Sequence, residues 1–76
     1  MVRKLFFSFD IPRNKASFRV KVWRELNKIG ARQNMKSYWS LDYSKENLQK
    51  LKSIAKEIQR NDGEIEVVDG KILWKG

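Results

Sequence analysis

Apolar residues alternate, then wind, then alternate again along this chain. Between Lys4 and Asp10, Leu5, Phe7 and Phe9 fall on one side of an extended backbone, and Phe6, Ser8 and Asp10 on the other. So aromatic a run predicts a central strand, and Phe on both sides means that both faces of its sheet meet something. Pro12, without an N–H to give to a ladder, marks the strand's end. From Asn14 to Ile29 the period lengthens to about 3.6, with Phe18, Val22, Leu26 and Ile29 on one stripe and Gly30 just past the helix end. Asn14 or Ser17 is placed to cap its start. Trp23 lies off the stripe, either on the rim of the core or as a contact for another chain.

Helical period then vanishes. The spacing predicts a short strand near Ala31–Asn34, a turn at Met35–Lys36 and a strand from Ser37 to Asp42, with one long bulged strand as the alternative. Ser44 caps a second helix running to about Arg60, whose buried stripe is Leu48, Leu51, Ile54, Ala55 and Ile58. Asn61-Asp62-Gly63 closes it. Asp69-Gly70 is a strong type I′ turn signal, and it predicts a terminal hairpin from Glu64 to Lys75 with Val67 opposite Ile72 and Ile65 opposite Trp74. The order is β-α-β-β-α-β plus a short extra C-terminal strand. Right-handed crossovers then place both helices on one face of an antiparallel sheet, an α+β ferredoxin-like domain covering residues 1–76. Its other sheet face is left bare, carrying Phe6, Ser8, Asp10 and either Tyr38 with Ser40 or Trp39 with Leu41. A bare face with aromatics is a homodimer interface or a ligand platform.

Composition narrows the chemistry. At 76 residues the chain is near the lower limit for folding alone, and a partner subunit would add buried surface. With no Cys and no His, disulfides, thiolate chemistry, zinc clusters and imidazole acid–base catalysis are excluded. No apolar run approaches the length of a membrane span and no secretion signal is present, so the expected setting is cytoplasmic, without membrane contact. Seventeen Lys and Arg against nine Asp and Glu give a net charge of +8. That balance favours a polyanion, most simply RNA or DNA.

Three sets of residues carry candidate chemistry. Asp10 emerges from a buried strand into a loop, where a carboxylate either ends the strand and caps a turn or ligates a hard cation such as Mg2+. One carboxylate per chain holds magnesium weakly, whereas two copies across a two-fold axis would share it with water and a substrate phosphate. Arg13, Lys15 and Arg19 follow that strand, Arg24 and Lys28 lie on a ridge of the first helix, and Arg32 and Lys36 come after it. These seven are the candidate phosphate contacts. Lys45, Lys52 and Lys56 read as a solvated helix flank. Finally, aromatics on such a sheet stack bases in RNA-recognition modules, but the Gly-aromatic motif of that class is missing. Core or dimer packing is the better use of Phe6, Phe7, Phe9, Tyr38 and Trp39.

Phe9-Asp10-Ile11-Pro12, Leu26-Asn27-Lys28-Ile29-Gly30, Arg32-Gln33-Asn34 and Ser37-Tyr38-Trp39 together resemble the superfamily of CRISPR-associated protein 2 and the virulence-associated protein D ribonucleases. They are also similar to the C-terminal domain of phenylacetate-pathway transcriptional repressors. The resemblance implies a homodimer through the sheet faces, with Asp10 as the metal-binding catalytic residue of a magnesium-dependent endonuclease. It implies, as an alternative, a noncatalytic DNA-binding module that works with a CRISPR integrase subunit, or a stand-alone regulatory or dimerisation domain.

Overall fold

The computed structural model describes residues 3–35 and 38–74. Its elements run β1 (Arg3–Asp10), α1 (Ala16–Lys28), β2 (Arg32–Met35), β3 (Tyr38–Asp42), α2 (Lys45–Arg60) and β4 (Glu64–Lys71). The four strands form one antiparallel-paired sheet in the order β2-β3-β1-β4, the ferredoxin-like arrangement. β1 is central, as its aromatic run requires.

The alternation in β1 sets the layers. Leu5 and Phe7 are buried among Trp39 and Leu41 of β3, Val22 and Leu26 of α1, and Leu51, Ile54 and Ile58 of α2, in one continuous core. Both helices therefore cover the same sheet face. Phe9 and Phe18 pack against that core's edge. Trp23 belongs to its rim: its ring meets Trp39 edge-on at 5.5 Å, yet 44% of the residue stays exposed. The register decides which side chains of β3 lie on the outer face. Phe7 pairs with Trp39 and Phe6 with Ser40, so Trp39 and Leu41 point to the helices, and Ser40 lies opposite.

Helix ends follow local chemistry at three of four places. Ser44 caps α2, its Oγ accepting from the Asn47 amide at 3.0 Å. Both helices end on Schellman turns. After α1, the Gly30 amide donates to Asn27 and the Ala31 amide to Leu26; after α2, the Asp62 amide donates to Gln59 and the Gly63 amide to Ile58. Gly30 takes the left-handed position of the first turn (φ 87°) and Asp62 that of the second (φ 64°). The start of α1 differs from expectation. Neither Asn14 nor Ser17 caps it; Lys15 stands at the cap and its side chain makes no capping bond, because Pro12 and Lys15 close a tight turn, Lys15 N–H to Pro12 O at 3.0 Å.

The terminal hairpin is not formed. β4 runs straight through Asp69-Gly70 and pairs with β1 along its whole length, from Asp10↔Glu64 to Arg3↔Lys71. Eight cross-strand positions on the central strand outweigh a local turn preference. Particular contacts hold the run extended. Arg3 binds Asp69 with two hydrogen bonds, one of them Nε to Oδ1 at 2.9 Å, while its guanidinium lies 3.7 Å from the centre of the Tyr43 ring. Gly70 lies against the Phe6 ring. No fifth strand occurs among the described residues. β2 and β3 form the expected antiparallel pair, with a bulge between Gln33 and Met35. The predicted turn residue Lys36 and strand residue Ser37 lie outside the described residues.

Arg3–Asp69 and Lys4–Asp42 are cross-strand ion pairs with a pH signature. Hydrogen bonding from Arg3 holds the Asp69 carboxyl below its ordinary value, and hydrogen bonding from Lys4, then its charge, does the same to Asp42. A carboxyl depressed in the fold adds stability above its unfolded pKa of about 3.9, and loses it as pH falls through the lower folded value. The urea midpoint should therefore drop below about pH 4. An Asp42→Asn/Asp69→Asn double variant should show a shallower drop; an identical pH profile would remove these pairs from the account.

Candidate functional site

The outer sheet face divides into three zones. At one end lie Lys4, Asp42 and Arg32, the last opposite Ser40 on the edge strand β2. The centre is apolar. Phe6 meets Tyr38 edge-on at 6.0 Å, Val68 is its partner across β4, and Met35 pairs with Tyr38 from β2. Val68 and Met35 remain 51% and 62% exposed, a large apolar display for so small a chain. The far end is acidic: Ser8 faces Glu66 and Asp10 faces Glu64, and these four residues line one shallow groove.

Asp10 is exposed on this face, at the strand terminus where the sequence places it. The cations chosen to accompany it separate into distinct roles. Arg13 is exposed in the loop after Pro12. Lys15 reaches the α2–β4 turn, its Nζ 3.5 Å from both Asn61 Oδ1 and Asp62 Oδ2. Arg19 donates from Nη2 to the Ile11 carbonyl at 2.9 Å. Lys15 and Arg19 thus fasten the loop that follows Asp10. Arg32 aligns with Ser40 and Phe6, so it stands about 13 Å along the strands and about 10 Å across them from Asp10. The two do not share one phosphate. Arg24 and Lys28 lie exposed on α1, in the opposite layer. Lys36 lies outside the described residues.

Glu64 and Glu66 are the residues that sequence reasoning missed. The signal lay in the alternation of Ile65 and Val67, which matches Phe9 and Phe7 of β1 and turns both glutamates outward beside Ser8 and Asp10. Three carboxylates therefore share one end of the outer face. Even so, no group of three or more His, Cys, Asp or Glu gathers closely enough among the described residues to hold a metal ion.

The positive charge lies in the helix layer. α1 and α2 carry nine Lys and Arg against three Glu, a net +6 of the chain's +8. Lys21 bridges the helices through Glu57 at 3.2 Å, and Lys50 pairs with Glu46 at 3.1 Å. Among the described residues, Arg24, Lys28, Lys45, Lys52, Lys56 and Arg60 are exposed and have no carboxylate partner. The lysines of the α2 flank thus count among these exposed, unpaired cations of the helix layer. No helix is long and apolar enough to cross a membrane.

Comparison with known proteins places this architecture. The crystal structure of a hypothetical protein from Thermus thermophilus superposes with a TM-score of 0.68 over all of this chain and 93% of that one, at 20% identity, which speaks for the fold alone. No curated protein sequence matches the chain. The family model described as "Protein ChrB, N-terminal" matches residues 19–73. That span takes in α1 from Arg19 onward, all of α2, the basic layer and the glutamates of β4, and leaves Phe9-Asp10-Ile11-Pro12 outside it.

Proposed function

We propose that this chain, which belongs to the ChrB N-terminal family, is a noncatalytic, homodimeric module that binds duplex nucleic acid through its helix layer. One observation carries the proposal: the separation of the two faces. The outer sheet face presents Phe6, Tyr38, Val68 and Met35, while six unpaired cations stand on the helices behind it. Two copies joined through their sheet faces bury the apolar centres and turn both basic layers outward. Phosphates meet cations there and are kept from the acidic end by Asp10, Glu64 and Glu66.

Sedimentation and salt-dependent binding test the two halves. Phe6→Glu should convert a dimer to a monomer, since a central aromatic anchor contributes about 2 kcal/mol or more to such an interface. Lys52→Glu with Lys56→Glu should weaken duplex binding about tenfold or more and flatten its salt dependence by about two phosphate contacts. Asp10→Ala should bind as the parent does. A wild-type chain that sediments as a monomer, or duplex affinity untouched by the lysine changes, would overturn the assignment.

A second reading follows from the exposure of Asp10 on the same face. Sheet-to-sheet pairing would bring two Asp10 residues to the interface, as the resemblance to CRISPR-associated protein 2 implies, with an integrase subunit as a further partner. Within one chain the residues do not fit magnesium, which requires near-ideal octahedral coordination by oxygen. Magnesium-dependent cleavage of RNA or DNA that disappears in Asp10→Ala would favour this reading over the first.

A further inference from the structure

Beyond β4 the chain turns back across the outer sheet face. Ile72 lines one hollow with Lys4, Arg32 and Asp42, and Ile72, Leu73 and Trp74 form one wall of a second, of about 630 Å³. The opposite wall of the second is Phe6, Met35 and Tyr38, with Asn34 and Lys71 at its margins. Its volume is that of a small-molecule pocket, and its lining is mainly apolar with a few polar groups. Trp74 lines this hollow with Phe6 and Tyr38 yet is 92% exposed, its ring paired with no other among the described residues. Phe6 and Tyr38 are already fixed edge-on to each other, and Gly70 lies against the Phe6 ring without a side chain to cover it. An indole left in water across from a preformed aromatic wall lacks a flat partner between them.

The geometry points to a binding site for a small planar aromatic anion, held between Trp74 and the Phe6–Tyr38 pair. Flatness follows from the aromatic walls, which favour stacked or edge-on neighbours. The sign of the charge follows from the lining, where among the described residues Lys71 is the single charged one and no carboxylate occurs, and from the chain's net charge of +8. Asn34 adds an amide that both donates and accepts. Because the hollow occupies the face proposed for dimerisation, an occupant changes the dimer equilibrium, and dimerisation changes its affinity by the same factor.

Titration calorimetry of the full chain with 2-naphthoate tests the site, with neutral 2-naphthamide and non-planar cyclohexanecarboxylate for comparison. 2-Naphthoate should bind about tenfold tighter than either, the margin of one charge-assisted hydrogen bond or one stacked ring. Trp74→Ala should weaken it several-fold with the far-ultraviolet circular dichroism unchanged, and Lys71→Gln should erase the preference over the amide. Equal affinities for the three compounds, or a Trp74→Ala chain that binds 2-naphthoate as the parent does, would overturn the assignment. Sedimentation without ligand reports on the dimer separately, so failure of one is not mistaken for failure of the other.

Discussion

Leu51→Ala is expected to remove about 3–5 kcal/mol of stability. Leu51 is wholly buried on α2, inside the core shared with Leu5, Leu41, Ile54 and Ile58. A domain of this size has about 4–11 kcal/mol in all, so one truncation takes much of it. The site collapses poorly, because the removed side chain already borders a hollow of about 300 Å³ lined by Leu5, Tyr43, Leu48, Ala55 and Val67. Deletion enlarges that hollow and forfeits Leu51's dispersion contacts with the core. Urea titration should show a lower midpoint with an unchanged slope. A loss under about 1 kcal/mol would mean that α2 is not the anchor of the sheet.

Gly63→Ala is the second large effect, at about 1–3 kcal/mol. A β-carbon there would sit 2.7 Å from the Asp10 carbonyl oxygen and 2.7 Å from Ile58 Cγ2. The oxygen belongs to a strand end paired with Glu64 and cannot swing aside as a side-chain tip does. Gly30 separates this steric cost from a conformational one. It has a left-handed φ of 87° and nothing within 4 Å of an added β-carbon. Gly30→Ala should therefore cost about 1–2 kcal/mol by backbone strain alone, leaving β1 undisturbed. Amide exchange at Phe9, Asp10 and Ile65 distinguishes them: it should quicken in Gly63→Ala and not in Gly30→Ala. Similar exchange in both would show that the close approach at Gly63 is relieved without moving β1.

Much of the fold was legible because its signals are local and redundant. The alternation of Leu5, Phe7 and Phe9, the stripe from Val22 to Leu26, and Ser44 before a helical period each name an element independently. Asp69-Gly70 misled because the turn preference of two residues is local, whereas the register of β4 against β1 is set by residues some sixty positions away. Glu64 and Glu66 already faced away from Ile65 and Val67 in the predicted hairpin, but that one error hid their neighbours, because only the register of β4 against β1 sets them beside Asp10 and Ser8. The candidate site was less legible for a related reason. Sequence proximity put Lys15 and Arg19 beside Asp10, but Lys15 is held toward Asp62 of a distant turn and Arg19 by the Ile11 carbonyl. Cations five and nine residues after a carboxylate can be anchors or contacts, and only the groups around them decide which.

The pairing of the first strand with the last has a consequence for how the molecule is made. β1 is the centre of the sheet, yet Arg3 waits for Lys71 and Leu5 for Asp69, so one whole edge of β1 has no partner until some sixty further residues have been made. During synthesis, at about 5–20 residues per second, the most aromatic stretch of the protein is therefore exposed for several seconds with an open side. Its three phenylalanines and unpaired edge make a ready target for chaperones, or for a neighbouring nascent copy. Moving β4 to the front by circular permutation would give β1 its neighbour at once, and should lower aggregation during expression without altering the finished sheet.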